Sequence, residues 1–99
     1  MSIVIEIKKT NVINDVHYYS VKSDHKGRSL FYIGIDSKKN QIMFFDDDTF
    51  SNSIAIIDQT QGVIKGDVCL YPAVSGRVLV KAYQALKENS FPDDISWIS

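Results

Sequence analysis

Cysteine is nearly absent from this chain. Cys69 stands alone, so no disulfide can close within the chain and its stability must come from a packed core. A reducing, cytoplasmic setting is the expectation that follows. Proline and glycine are also sparse, two and five of 99 residues, which argues against a disordered or linker-like chain. No stretch approaches the roughly 20 apolar residues needed to cross a bilayer. The opening Met1-Ser-Ile-Val-Ile-Glu-Ile-Lys-Lys9 places Glu6 inside its short apolar run with no basic segment ahead of it, unlike a signal peptide, so membrane insertion is not expected. Net charge is small as well: eleven Lys and Arg against twelve Asp and Glu give −1, which supplies no overall field for nucleic acid or membrane. There is no dinucleotide fingerprint, no phosphate-loop sequence and no His or Cys pair at metal-ligand spacing, so neither a cofactor nor a metal is expected.

What the chain does have is apolar mass. Its 44% hydrophobic content, with five Phe and five Tyr, can build one core, and 99 residues are too few for two, so residues 1–99 are read as a single compact α+β domain. Its charges are unevenly placed. Met1 to Phe45 holds seven basic and four acidic residues, and Asp46 to Ser99 holds four basic and eight acidic. The result is a modest dipole unless folding mixes the two halves.

Ile3, Ile5 and Ile7 alternate with Val4, Glu6 and Lys8, the period of two that puts three Ile on one face of a strand. A polar interval, Thr10 to Asp15, is expected to separate it from a second strand, Val16 to Lys22, and Asp24 to Gly27 reads as a turn. The clearest signal runs from Leu30 to Phe45. With Ser37 to Asn40 as its loop, a hairpin sets Ile35 opposite Ile42, Gly34 opposite Met43, Ile33 opposite Phe44 and Tyr32 opposite Phe45. Its second face, with Tyr32, Met43 and Phe45, is apolar enough to need cover from the tail, from sheet curvature or from a partner.

Asp46 to Ser53 breaks the pattern and reads as a loop. Ile54 to Asp58 and Val63 to Tyr71 return to strand, the second split or bulged near Gly66 and Asp67. From Ser75 to about Asn89 the period becomes 3.6. Val78, Leu79, Ala82, Ala85 and Leu86 form the apolar stripe, Ser75 is a candidate N-cap, and Phe91-Pro92 suits termination. The expected fold is an antiparallel sheet of about five or six strands with one C-terminal helix packed on one face.

Candidate chemistry is thin. Asp46, Asp47 and Asp48 offer carboxylates, but adjacent extended residues do not point into one metal site, and the segment lacks the central Gly and terminal Glu of a calcium loop. His17, His25 and Cys69 would make a small hydrolase only if folding brought them together with an orienting group. Ser75-Gly76-Arg77 is the best small-anion candidate, at a strand-to-helix junction. Lys22, Lys26, Arg28, Lys38 and Lys39, with Tyr18, Tyr19, Phe31 and Tyr32, are the ingredients of a nucleic-acid surface, interrupted by Asp24 and Asp36 and without a matching motif.

Three features favour protein contact: the acidic loop Asp46, Asp47 and Asp48; the helix shoulder Val80 and Tyr83; and the tail, where Asp93, Asp94 and Trp97 combine steering charge with an aromatic anchor. The tail's alternating Ile95 and Trp97 also suit a final edge strand, or a segment folded back over the sheet. The sequence therefore points to a small non-enzymatic protein-binding module. A bacterial inhibitor or immunity-type protein masking the active site of a basic toxin or enzyme fits this size and chemistry. A homodimeric structural or regulatory protein is the alternative.

Overall fold

The computed structural model describes residues 4–23, 31–47, 49–51, 53–66 and 72–98. Six strands follow one another as an antiparallel meander: β1 (Val4–Ile13), β2 (Val16–Ser23), β3 (Phe31–Asp36), β4 (Gln41–Phe45), β5 (Ser53–Asp58) and β6 (Gly62–Gly66). One helix, α1 (Pro72–Glu88), packs on one face, and a two-residue β7 (Trp97–Ile98) returns to pair with β1. The sheet order is β6-β5-β4-β3-β2-β1-β7. This is the α+β architecture expected from the sequence, with six meander strands and a short seventh added by the tail.

Turn chemistry sets the register. The β3–β4 hairpin has the pairing its apolar pattern implies, Ile35 with Ile42, Gly34 with Met43, Ile33 with Phe44 and Tyr32 with Phe45. Asp36 closes its loop by accepting the amide hydrogens of Lys38 and Lys39 on Oδ1, at 3.0 and 3.1 Å. The first hairpin differs from expectation. Most of the polar interval Thr10 to Asp15 is strand, and only Asn14 and Asp15 turn, at φ of 50° and 66°. Left-handed φ at both central residues gives the two-residue hairpin turn whose twist matches its strands, and Asn and Asp tolerate it best after glycine. β6 ends at Gly66, and the rest of the expected strand to Tyr71, Cys69 included, lies outside the described residues, as does the turn at Asp24 to Gly27.

The helix-side face holds the core. Ile5 and Ile7 of β1, Tyr19 and Val21 of β2, Phe31, Ile33 and Ile35 of β3, Ile42 and Phe44 of β4, and Ala55 and Ile57 of β5 are all buried there. Val78, Ala82, Ala85 and Leu86 of α1 cover them, with Leu79 packed at the margin, as the 3.6-residue stripe requires. The helix begins earlier than expected. Pro72 opens it, where a missing amide hydrogen costs nothing because the first turn leaves it unpaired. Ser75 is therefore buried within the helix and is not its N-cap, which also removes Ser75-Gly76-Arg77 from the helix N-terminus where an anion would sit. At the other end Asn89 takes φ 49°, its N–H bonds Leu86 O, and Ser90 N–H bonds Ala85 O. This paired closure ends the helix and turns the chain toward β1.

Part of the opposite face, around Phe45, is covered by the chain itself. Tyr18 stands across from Gly34, and a Cβ on that glycine would meet the Tyr18 ring at 3.1 Å. The phenol therefore fills the space a side chain would take. From the β4–β5 loop, Phe50 reaches back over this surface, 4.3 Å from the Tyr18 ring and edge-on to Phe45 and Tyr32 at 5.3 and 5.7 Å between centroids. Its backbone sits at φ 55°, an unfavourable conformation for a bulky side chain, held by the packing of that ring. Phe45 is buried as a result.

Candidate functional site

The residues that suggested protein contact lie on three separate elements. Asp46 and Asp47 are exposed in the β4–β5 loop, and Asp48 lies outside the described residues. Asp47 Oδ1 accepts the hydroxyl of Thr49 at 2.6 Å and its amide at 3.0 Å, which hold this carboxyl below its usual range and anchor it in the turn. Asp93 and Asp94 belong to the tail along β1. Four strand spacings, about 19 Å, separate β4 from β7, so loop and tail do not merge into one acidic patch.

In the tail, Asp94 Oδ1 accepts both the hydroxyl and the amide of Ser96, which lower its pKa. Asp93 is exposed and stands 3.8 Å from Lys9 Nζ. Trp97 is half-buried against the core with Lys81 Nζ 5.8 Å from its ring centre, and its indole nitrogen is buried without a hydrogen-bond partner among the described residues. Its ring is thus part of the tail's packing. Between the tail and α1 lies a groove of about 230 Å³, lined in part by Lys81, Gln84, Glu88, Ser90, Asp94 and Ser96. Its mixed charges converge on no reactive group.

On α1, Val80 is 53% exposed, and Tyr83 is half-buried beside it at the edge of the core. Burial and the carboxylate of Asp58, the last residue of β5, both raise the Tyr83 pKa. Beyond β5, β6 forms the outer strand. Val63 and Ile64 are 59% and 51% exposed, and among the described residues no strand pairs with their outer side. Lys65 is the one charged residue on β6, and its Nζ donates to Ser53 O at 3.1 Å. The helix shoulder and the β6 edge each present exposed apolar side chains, Val80 on the one and Val63 and Ile64 on the other. Sequence reading identified the shoulder but not the edge, since it gave no strand order.

The other margin is covered by the tail from Val4 to Lys9 of β1, beyond which Val12 and Ile13 are each 49% exposed. Three consecutive tail carbonyls are each captured from the sheet: Phe91 O by Lys9 Nζ, Pro92 O by the Tyr19 hydroxyl at 2.8 Å, and Asp93 O by Lys9 N–H at 2.7 Å. Ile95 N–H then donates to Ile7 O, and Ile7 N–H to Ser96 Oγ. His17 stacks on Phe91 with ring centres 4.2 Å apart and planes 12° apart. Its pKa is lowered by burial and by the Lys9 ammonium, against an opposing pull from Asp15. Tyr19, fully buried, has its pKa raised to about 12 by burial and by Asp93.

The remaining candidates are dispersed. His17 is engaged in this latch, whereas His25 and Cys69 lie outside the described residues. Of the stacking candidates, Tyr19 and Phe31 are buried on the helix side, and Tyr18 and Tyr32 lie on the other face. Lys38 is paired with Asp15 at 2.9 Å. Among the described residues no group of three His, Cys, Asp or Glu side chains is placed to hold a metal ion. Comparison with protein-family models, curated proteins and solved structures gives no match for this chain.

Proposed function

We propose that this chain is a non-enzymatic protein-binding module that takes up an extended segment of a partner along β6, with the Val80 and Tyr83 shoulder flanking the added strand. The observation that carries this reading is the unequal treatment of the two sheet edges. The chain uses its C-terminal segment to cover β1 from Val4 to Lys9, while β6 has no strand on its outer side among the described residues, beside exposed Val63 and Ile64. An added strand satisfies the outer backbone groups of β6 and buries those side chains together. An inhibitor or immunity-type protein masking a basic site is a particular form of this reading. In that form exposed Asp46 and Asp47 supply the steering charge, Asp47 staying ionised because the hydrogen bonds from Thr49 lower its pKa.

The test is capture from the native cell followed by binding between purified components, with hydrogen exchange read along the chain. Saturable binding that protects residues 63–66 and is lost in Val63→Lys/Ile64→Lys, at an unchanged unfolding midpoint, is the expected result. Binding unaffected by that double substitution excludes the β6 site.

A second reading is a homodimer through the same edge. Antiparallel pairing centred on Ile64 would set Lys65 opposite Val63, so the lone β6 cation would not meet its own copy. Mass measured across a concentration series separates the two, since a strictly monomeric chain rejects the dimer and leaves the partner reading standing.

A further inference from the structure

We propose that residues 91–98 form an acid-released strap: a proton taken up from solvent by His17 loosens Phe91 from β2 and lets the tail peel away, opening the β1 edge. The geometry that motivates this is a cluster in which the imidazole is the one neutral base. His17 stacks flat on Phe91, and its Nδ1 is buried with no hydrogen-bond partner among the described residues. Once protonated, both ring nitrogens are donors, and Nδ1 would carry a buried hydrogen without an acceptor.

The charged and titratable neighbours come from each side. Lys9 on β1 already holds Phe91 O, so a second cation beside it is repelled. Asp15 in the β1–β2 turn favours the proton, but it is bonded to Lys38. Asp93 on the tail pairs with Lys9, and Tyr19 on β2 stays neutral through this range. The neighbours directly across are apolar, Val12 on β1 and Ile35 on β3. Burial and Lys9 together outweigh Asp15, which is the direction of the His17 shift. Because the neutral form is favoured in the closed state, the strap is held fully above the ordinary histidine range and weakens as pH falls through it.

The experiment is amide hydrogen exchange on the full chain between about pH 7.5 and pH 5.5, corrected for intrinsic rates, with the His17 ring proton titration followed by NMR in the same samples. Protection at Lys9 and Ile95, whose amides bond across the strap, should fall on acidification while protection in the β3–β4 ladder holds. The midpoint of that loss should track the His17 titration. His17→Phe, which keeps an aromatic stack but has no basic nitrogen, should abolish the dependence, and His25→Gln should leave it intact. Constant protection at Lys9 and Ile95 across the range overturns the proposal, as does an equal loss in His17→Phe. If His17→Phe does not fold, a mismatch in wild type between the ring titration and the amide loss overturns it.

Discussion

A methyl group on Gly66 would lie 1.9 Å from Ile54 O, and φ there is 73°, so both the backbone conformation and the neighbour demand glycine. Gly66→Ala should lower stability by about 2–3 kcal/mol in urea unfolding, because β5 must shift to admit the methyl. Gly76 is the opposite case. It lies within α1 with open space where a Cβ would go, and Gly76→Ala should raise stability by about 0.5–1 kcal/mol in the same assay. Tyr19 carries a different signature. Its pKa, raised to about 12, means that the folded chain holds the phenol proton more tightly than the unfolded one. The associated stability is complete below pH about 10 and is lost as pH rises through about 12. Tyr19→Phe should cost about 1 kcal/mol at neutral pH through loss of the bond to Pro92 O, and should flatten the fall above pH about 10. Chemical denaturation across the alkaline range checks both.

Elements here are held as much by what crosses them as by their own propensities. The β4–β5 loop contributes Phe50 to the far face of the sheet, and removing that ring uncovers Phe45, Tyr18 and Tyr32 together. Phe50→Ser should lower stability by about 1–2 kcal/mol and reduce the near-ultraviolet dichroism of the aromatic cluster. Hairpin register was legible in the sequence because β3 and β4 alternate in step on both sides of a polar four-residue loop. Strand length in β1 was not legible, since Thr10 and Asn11 look like turn residues, and the strand continues through a register shift at Thr10 because Asn11, Val12 and Ile13 pair with Tyr18, His17 and Val16. The helix start was misread for a related reason. Ser75 has capping chemistry, but the apolar residues ahead of it continue the helix back to Pro72.

Across the whole molecule, the two sheet margins differ in how they are finished. One is covered as far as Lys9 by a tail gripped at Phe91, Pro92 and Asp93, and the other ends in a short strand with exposed Val63 and Ile64. A chain ending at Ser90 should therefore expose the β1 edge and self-associate further as concentration rises, read by light scattering against the mass of the full chain at the same concentrations. The candidate site was only partly readable. Val80 and Tyr83 could be placed on the helix shoulder from the 100° rotation per residue, but which strand forms the open edge depends on sheet order. The acidic residues looked like one class of feature, yet the fold separates loop from tail and gives Asp47 and Asp94 local work in their own turns.

The sequence by itself determined the local periods: alternating apolar residues for the strands, the 3.6-residue stripe for α1, and the loop that fixes the β3–β4 register. These follow from contacts among near neighbours, which any short segment encodes. Tertiary structure alone decided that the tail returns to β1, that Phe50 covers part of the second face, and that His17 meets Phe91. Each of these joins residues far apart in the chain, where the favourable partner depends on how the whole sheet is ordered and not on any nearby pattern.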